Sequence, residues 1–292
     1  MKKVRLIVLP LVVTLVFLLA PGRPQYYLSV VALFQNESPY LKEWIEYHKL
    51  LGVDHFYMLN NNSDDGYLQV LTPYIESGEV ELMSLPEKGT LQKEFNKIQC
   101  GAYTHILKTK QKETFWLAVI DTDEFILPLD GSSLPSFLKE YESYGGIAIN
   151  WQLYGTADVE KIPLDATMIG TLTKKARSDH PNNRFVKTIC QPKRVKKMTQ
   201  PHFCRYKKPF YHVGEKKNRL PSLSITKEVS VDKICINHYT FRDKHFFETV
   251  KKQRMLNWYP EKEAIANPDF NEVEDLCMDR HVTNLEERLF QK

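Results

Sequence analysis

Apolar and polar residues follow one another along this chain in blocks that predict strands and helices in turn. Short apolar runs rich in β-forming residues predict strands, and stretches with apolar residues three and four apart predict helices. The predicted strands are residues 27–34, 55–59, 80–83, 115–120 and 146–150, and the predicted helices are residues 39–51, 67–78, 92–107 and 133–141. Strands and helices that alternate in this way predict an α/β fold in which helices flank a mostly parallel sheet.

The predicted strand at residues 115–120 has the sequence Phe-Trp-Leu-Ala-Val-Ile and ends abruptly in acidic residues. Six apolar residues without a polar one between them indicate a strand covered on both faces of the sheet. Asp121 and Asp123 follow this strand, and two such carboxylates can point toward one position. Hard oxygen ligands of this kind suit Mg²⁺ or Mn²⁺. A solvated turn after a core strand is the alternative, because a short acid pair also arises by chance.

Two other predicted strands also end in polar residues. Asn36 and Glu37 follow the first strand, and the second runs into a polar turn at residues 60–64. In open parallel sheets, ligands bind outside the carboxyl ends of the strands. We therefore expect both clusters to meet Asp121 and Asp123 at one rim of the sheet, which favours a ligand site over a solvated turn.

The second half of the chain carries aromatic and basic residues. Trp151 and Tyr154 follow a predicted strand, where they could stack on a sugar ring or pack in the core. Residues 174–219 contain fifteen Lys or Arg but only Asp179 and Glu215 as acids. Such a run is either a solvated face or a positive field for a diphosphate, an acidic acceptor or anionic lipid headgroups. No nucleic-acid motif accompanies the charge, so we expect no nucleic-acid partner.

Length and composition suit a globular protein with a sizeable core. The chain has 292 residues, of which 42% are hydrophobic, enough for one large α/β domain and unlike a disordered or fibrous protein. The five cysteines form no Cys-x-x-Cys pair and no Cys/His set with zinc spacing, so we expect no zinc site and mostly buried, unreactive thiols. Cys190 and Cys204 could form a disulfide only in an oxidising compartment.

The N-terminal segment, residues 1–24, has a membrane-targeting pattern. Three basic residues among the first five precede an uncharged apolar stretch at residues 6–20. This stretch is short for a spanning helix, but Pro21 directly after it makes a poor cleavage site, so we expect an uncleaved anchor rather than a cleaved signal peptide. The basic residues would keep the N-terminus cytoplasmic. A catalytic domain at residues 25–258 and a charged, helical C-terminal tail at residues 259–292 complete the expected organisation.

The ordered motifs of the chain resemble those of glycosyltransferase family 92, within the GT-A superfamily. The matching segments are residues 36–48, 51–53, 60–64, 73–80 and 121–125, followed by Trp151, Tyr154, Gly155, Lys187, Pro192, His202, His238, Tyr239 and Lys251. The resemblance covers roughly residues 26–255, and an ordered set of motifs is more specific than any one of them. It implies a GT-A fold, a divalent metal (Mn²⁺ or Mg²⁺), a UDP-sugar donor, expected to be UDP-galactose, and inversion at the transferred sugar.

The resemblance also implies roles for individual residues. Asp123 would bind the metal, and Asp121 would reach either the metal through water or the ribose of the donor. Asn36, Glu37 and Asn60 would line the nucleoside pocket. A metal held by carboxylates would neutralise the charge that develops on the leaving sugar diphosphate.

Two further roles complete the expected site. His238 ends an alternating, strand-like stretch, and we expect it to bind the same metal as Asp123; a packed, structural histidine is the alternative. Inversion also needs a general base that takes the proton of the acceptor hydroxyl. No motif identifies this base, and Asp158, Asp179 and Glu215 are the candidates, with Asp158 preferred.

The sequence thus favours a membrane-anchored, metal-dependent inverting glycosyltransferase that acts on a glycan or glycoconjugate acceptor. A metal-dependent phosphodiesterase or nucleotidyltransferase is the first alternative, but a two-metal site would need more ligands than Asp121, Asp123 and His238. A non-catalytic sugar-binding relative is the second. We expect a single-pass membrane protein, of Golgi type in a eukaryote or in the cell membrane of a bacterium.

We expect the full chain to fractionate with membranes and to resist extraction by high salt or carbonate. Residues 6–20 bury apolar surface in the bilayer, and electrostatic washing does not compete with that burial. A chain that begins at Gln25 should be recovered in the soluble fraction. The intact mass of the membrane-bound protein is the check, because a chain that starts at Pro21 or later would mean that the segment is a cleaved signal peptide.

Overall fold

A computed structural model describes residues 24–89, 91–221, 223–258 and 270–290. Its strands are β1 Tyr26–Phe34, β2 His55–Asn60, β3 Val80–Ser84, β4 Thr114–Val119, β5 Glu124–Pro128, β6 Gly146–Leu153, β7 Lys174–Lys175, β8 Val186–Cys190, β9 Val195–Gln200, β10 Phe203–Tyr206, β11 His212–Val213, β12 Ile234–His238 and β13 Val273–Glu274. Its helices are α1 Ser38–Leu50, α2 Tyr67–Glu76, α3 Gln92–Thr109, α4 Leu134–Lys139, α5 Met168–Thr171, α6 Lys244–Phe246, α7 Lys252–Trp258 and α8 Asp279–Phe290. A π-helical turn at Phe247–Lys251 joins α6 to α7.

Within the described residues, one nine-stranded sheet organises the fold. Its strand order is β3-β2-β1-β4-β8-β6-β12-β5, and β11 pairs with β6. β1 pairs in parallel with β2 and β4, and β2 pairs in parallel with β3. β8 runs antiparallel between β4 and β6, and β5 runs antiparallel to β12. The predicted α/β class with a mostly parallel sheet is confirmed.

Helices cover both faces of this sheet, as the unbroken apolar sequence of β4 predicts. Trp116 and Leu117 are neighbours in β4 and therefore point to opposite faces, yet both are fully buried. Trp116 packs in one apolar cluster with Trp44 of α1, and Leu117 packs in another with Tyr103 of α3. The central strand is thus closed to water on both faces as far as Ile120, and the acidic residues begin at its end.

Two strands of the sheet, β5 and β8, depart from the sequence pattern. β8 is Val-Lys-Thr-Ile-Cys and is fully buried, although it lies inside residues 174–219, where the charge suggests a solvated face. β5 follows the acid pair after a turn in which the Glu124 N–H donates to the Asp121 carbonyl at 3.1 Å. The acid pair therefore lies in a tight connection between two buried strands.

The C-terminal segment at residues 270–290 packs onto the same body. β13 pairs antiparallel with β7, and Leu285 of α8 is buried. Arg288 of α8 forms an ion pair with Glu46 of α1 at 3.1 Å. A helix is therefore present in the segment where a charged tail is predicted, and its apolar side joins the main core cluster.

The cysteines are free thiols throughout. Cys190, Cys204 and Cys235 are buried, while Cys100 and Cys277 are half-buried. The sulfur atoms of Cys204 and Cys190 lie 3.5 Å apart without a disulfide between them. Burial raises the pKa of Cys235 above its ordinary value, which disfavours the reactive thiolate and suits a structural role.

The membrane anchor predicted from the sequence cannot be compared with this fold. Its apolar stretch at residues 6–20 lies outside the described residues. Among the described residues, none of the helices combines the length and the apolar character needed to cross a bilayer.

Gly52 allows a test of how α1 ends. Its φ is +91°, and a Cβ atom there would lie 2.9 Å from Pro135 Cδ in α4. Gly52→Ala should therefore strain the backbone and displace α4, and we expect a loss of about 1–3 kcal/mol in the free energy of unfolding, measured by urea denaturation.

Gly101→Ala is the matched control for this substitution. Gly101 lies in α3, and nothing lies within 4 Å of a Cβ atom added there. Alanine should leave the helix unchanged or stabilise it by up to about 1 kcal/mol. Equal stability of the Gly52→Ala and wild-type proteins would contradict the strain assigned to Gly52.

Candidate functional site

A cleft of about 850 Å³ opens at the carboxyl ends of the central strands. Asp121, Thr122 and Asp123 form its floor, between the end of β1 and the end of β12. The first turns of α3 form one side, and the π-helical turn with α7 forms another. Aromatic residues complete the wall: Trp151, Phe185, His202, Phe241 and Phe270. The sheet therefore places its acid pair where a ligand can reach it.

Asp121 is held by a buried lysine from β8. Lys187 Nζ lies 2.6 Å from Asp121 Oδ2 and 3.5 Å from Glu124 Oε2, and the Lys187 side chain is only 1% exposed. Burial alone would lower the pKa of Lys187, but the two carboxylates raise it above its ordinary value. Gln99 of α3 approaches the other Asp121 oxygen at 3.4 Å. Asp121 is thus fixed in direction, with about a third of its side chain exposed to the cleft.

Glu124 is a fully buried carboxyl group behind Asp121. Its Oε2 accepts a hydrogen bond from the Asp121 backbone N–H at 2.9 Å, which fixes the turn between β4 and β5. Burial raises the pKa of Glu124 well above its ordinary range, although Lys187 opposes this shift. Glu124 therefore shapes the turn from behind and does not face the cleft.

Asp123 carries two basic partners of different kinds. Lys251 Nζ lies 2.5 Å from Asp123 Oδ2, and His238 Nε2 lies 3.4 Å from Asp123 Oδ1. Burial would raise the pKa of Asp123, but Lys251 and His238 hold it well below its ordinary value. The Tyr239 backbone N–H donates to the Asp123 carbonyl at 2.9 Å, so β12 delivers His238 to the acid pair. Asp123 is consequently a buried carboxylate.

Glu37 lines the cleft with its carboxylate bound by two arginines. Arg242 Nη2 lies 2.8 Å from Glu37 Oε2, and Arg254 Nη1 lies 3.4 Å from Glu37 Oε1. Arg242 also donates to the Thr122 carbonyl at 2.8 Å, and Arg254 donates to the Gln35 carbonyl at 2.5 Å. Glu37 is thus part of the wall predicted for the donor, but its charge is neutralised by the protein.

Asn36 and Asn60, predicted to line the nucleoside pocket, use their side chains inside the polar loop. The Asn36 amide donates to Asp64 at 2.8 Å and accepts from the Asp64 N–H at 3.0 Å. Asn60 Oδ1 accepts the Ser63 N–H at 2.9 Å. Neither residue is among those that line the cleft. Asn36 has a φ of +52°, which asparagine tolerates, and the Asn60 side chain closes a turn. Both positions therefore favour asparagine without a ligand.

The three candidate bases lie outside the lining of the cleft. Asp158 is exposed and pairs with Lys174 at 3.1 Å, and hydrogen bonding with that lysine lowers the pKa of Asp158. Asp179 is exposed beside Arg177. Glu215 is buried and accepts backbone N–H groups of residues 232–234. Salt bridges and loop anchoring account for these acids, and the preferred candidate, Asp158, does not line the cleft.

Of the two aromatic residues predicted as a sugar platform, one reaches the cleft. Trp151 lines it, with its ring 4.4 Å from the His238 ring and stacked at 5.2 Å on Phe185. Tyr154 is 1% exposed and packs 4.5 Å from Tyr239 in the core. Trp151 is thus available to a ligand in the cleft, whereas Tyr154 packs in the core.

Asp123 and His238 fit two adjacent positions around one divalent ion. Ligands at right angles and about 2.1 Å from an ion would lie about 3.0 Å apart, close to the 3.4 Å between Asp123 Oδ1 and His238 Nε2. His238 Nδ1 is buried without a hydrogen-bond partner among the described residues, so the contact of the ring with Asp123 is made through Nε2. No set of three His, Cys, Asp or Glu groups in the described part of the chain converges on one point. A metal here would therefore need further ligands from a bound substrate.

Four basic residues of the site receive no role from the sequence alone: Lys187, Arg242, Lys251 and Arg254. Lys187 is hidden in a long basic stretch, and the others follow a strand that ends more than a hundred residues after the acids. Lys187 and Lys251 belong to the ordered motifs that resemble the family, so the sequence marks their positions but not their partners. Their pairing with particular carboxylates becomes visible only in the folded chain.

Comparison with known proteins gives a consistent family assignment. A family model described as glycosyltransferase family 92 matches residues 25–276. A glycosyltransferase family 92 protein of Arabidopsis thaliana is 25% identical over 231 residues, which are 74% of this chain and 35% of that protein. One from Ricinus communis is 27% identical over 161 residues, which are 51% of this chain and 26% of that protein. The chain spans about a third or less of the length of these relatives.

Two solved structures illustrate the more distant similarity. S. aureus TarS in complex with UDP-GlcNAc has a TM-score of 0.39 and 15% identity, covering 90% of this chain and 72% of that chain. Glucosyl-3-phosphoglycerate synthase from Mycobacterium tuberculosis, in complex with Mn²⁺, UDP and glucosyl-3-phosphoglycerate, has a TM-score of 0.29 and 18% identity, covering 43% of this chain and 44% of that chain. Both similarities are too weak to extend to individual residues of the site.

Removal of the buried ammonium of Lys187 should destabilise the fold as well as the site. Lys187→Met leaves Asp121 and Glu124 without their cation, and we expect the free energy of unfolding to fall by about 3 kcal/mol. Lys252→Met is the control, because the Lys252–Glu248 pair lies one helical turn apart on a partly exposed surface. Its loss should cost below about 0.5 kcal/mol. The free energy of unfolding of both variants is measured by urea denaturation, monitored by circular dichroism. Similar losses in the two variants would contradict the role given to Lys187.

Proposed function

Because the chain belongs to glycosyltransferase family 92, we propose that it transfers a sugar, expected to be galactose, from a UDP-sugar to a glycan acceptor, with a divalent metal and with inversion. The reaction takes place in the cleft at the carboxyl ends of the strands. A cavity of about 850 Å³ lies within the range of small-molecule and cofactor sites. It is large enough for a nucleotide sugar and part of an acceptor.

The observation that carries this proposal is the pairing of Asp123 with His238 at the floor of the cleft. The carboxylate and the imidazole face each other at 3.4 Å and can hold one ion between them. Mn²⁺ or Mg²⁺ bound there would neutralise the charge that develops on the leaving diphosphate. Asp121, which Lys187 keeps oriented, would accept a hydrogen bond from the ribose of the donor.

The aromatic wall of the cleft suits the acceptor. Trp151 and Phe185 stack on each other at 5.2 Å, and Phe241 stacks on Phe270 at 5.4 Å. Aromatic rings present flat apolar surfaces on which the C–H faces of a sugar can pack. A neutral glycan therefore fits this side of the cleft better than a strongly charged acceptor.

His202 is the residue of this wall that can take the proton of the acceptor hydroxyl. Its Nδ1 lies 3.1 Å from the Val186 carbonyl, and a hydrogen bond there leaves the lone pair on Nε2. Burial lowers the pKa of His202 to about 4, so the ring is neutral at pH 7 and has a basicity similar to that of a carboxylate. It replaces Asp158, which does not reach the cleft.

The other functions considered from the sequence receive less support. A two-metal phosphodiesterase or nucleotidyltransferase needs a larger set of converging ligands than the described residues provide. A non-catalytic sugar-binding relative would have no need for a buried carboxylate facing a histidine. The apolar stretch at residues 6–20 would hold the enzyme at a membrane.

The test is an assay of the purified full chain in detergent with a panel of UDP-sugars and Mn²⁺, in which UDP release is followed with and without glycan acceptors. We expect release above the hydrolysis rate with one donor, UDP-galactose, and dependence on both metal and acceptor. Asp123→Asn should lower the rate about a thousandfold or more at saturating Mn²⁺, because the amide keeps the shape but not the charge that holds the ion.

Asp158→Asn is the matched control in the same assay. Both changes replace a carboxylate by an amide, but Asp158 is exposed and outside the cleft. Its rate should stay within about threefold of the wild type. Wild-type turnover by the Asp123→Asn protein would refute the metal site, and a thousandfold loss in the Asp158→Asn protein would restore Asp158 as the base.

A further inference from the structure

We propose that Lys251 is an exchangeable counter-ion: it neutralises Asp123 while the cleft is empty and moves onto the diphosphate of the donor when a divalent ion takes its place. This inference rests on the proposed function, and it assigns to Lys251 a role in donor binding and in the order of binding. The contact between Lys251 and Asp123 is not predicted from the sequence.

The first observation is competition for one carboxylate. Lys251 Nζ lies 2.5 Å from Asp123 Oδ2, and the proposed ion position lies between Asp123 Oδ1 and His238 Nε2. A divalent ion on Asp123 would therefore stand within a few ångströms of the Lys251 ammonium. Like charges at that distance repel strongly inside a cleft of low dielectric. An ion on Oδ1 would also draw negative charge away from Oδ2, so metal binding should weaken the Lys251–Asp123 pair.

The second observation is that, among the described residues that line the cleft, the acids other than Asp123 already have cations. Lys187 occupies Asp121, and the arginine pair, Arg242 and Arg254, occupies Glu37. Asp123 is the ion-pair partner that the described residues give to Lys251. A displaced ammonium at this wall needs a new anion, and the diphosphate of a nucleotide sugar brings one into the same cleft.

The third observation is that Lys251 is less enclosed than Lys187. Lys187 is 1% exposed and lies between two carboxylates. Lys251 is 16% exposed, lines the cleft and ends the π-helical turn Phe247–Lys251 between α6 and α7. Turns of this kind are frequent at functional sites, and a lysine carries a flexible four-carbon stem with a compact charge. Rotation of this side chain would carry the ammonium away from the acid and toward a diphosphate bound in the cleft.

The exchange gives Lys251 two opposite effects on ligands. Before the donor arrives, the ammonium keeps the metal off Asp123. After the donor arrives, the same charge holds the diphosphate and favours the metal through the diphosphate oxygens. Metal and nucleotide should therefore bind with positive coupling, each raising the affinity for the other, and Lys251 is the source of part of that coupling.

Binding measurements on the full chain in detergent test this directly. Mn²⁺ binding without nucleotide is measured by electron paramagnetic resonance, and UDP binding at saturating Mn²⁺ is measured by calorimetry. In Lys251→Met we expect Mn²⁺ to bind about tenfold tighter and UDP to bind about tenfold weaker than in the wild type. The substitution removes the contact with Asp123 in the empty cleft and the contact with the diphosphate in the UDP-bound cleft. Lys251→Arg should keep UDP affinity within about threefold.

Lys252→Met is the matched control, because Lys252 is the next residue but pairs with Glu248 away from Asp123. It should change neither affinity. His238→Ala should weaken Mn²⁺ binding about tenfold in the same experiment, which checks that the ion measured is the one on Asp123.

The outcomes separate the two proposals. If the wild type binds no UDP and releases none from any UDP-sugar, the proposed function is wrong. If the wild type binds UDP and Lys251→Met weakens both ligands together, Lys251 only supports the site, and the exchange is refuted. Unchanged affinities in a Lys251→Met protein that melts at the wild-type temperature refute it as well. If Lys251→Met does not fold, Lys251→Gln replaces it with the same expected opposite shifts.

Discussion

The structure depends on how it holds two carboxylates at the end of a core strand, where Asp123 is buried and Asp121 is about a third exposed. A buried carboxylate without a partner is too costly for a folded protein, so each acid at this rim must be given a cation. Asp121 receives Lys187 from β8, and Asp123 receives Lys251 from the helical turn after β12. Each cation comes from a segment more than sixty residues away in the chain. The two acids therefore bind segments from the later half of the domain to the end of β4.

This requirement joins the site to the fold. β8 lies between β4 and β6 with its lysine at the floor of the cleft, and it is also the strand that connects the parallel half of the sheet to the rest. Lys187 thus lies in a buried strand of the sheet and also neutralises an acid of the cleft. Aromatic residues such as Trp151 and Phe185 line the same cleft, which therefore combines charged and apolar surface.

The sequence predicts the elements with strong local signals and misses those set by distant contacts. The amphipathic pattern of α1 and the apolar run of β4 are confirmed, because burial on one or both faces leaves a periodic trace in the sequence. β8 leaves no such trace, since its buried lysine is explained by Asp121 and not by its neighbours in the chain. Asn36 and Asn60 mark the right rim but serve the loop, because amide side chains suit both turns and ligands. Charge partners more than sixty residues apart cannot be read from a single chain.

The position of β8 also has a consequence for the order in which the protein is made. The first four strands pair with one another within the first 119 residues, but β8 reaches β4 only after residue 190 has been synthesised. Until then Asp121 has no lysine, and Asp123 waits longer still for residue 251. Contacts this far apart in the chain are slow to form. During synthesis the acids therefore precede their cations, and the charge balance is complete only after β12, the last strand of the main sheet to be made.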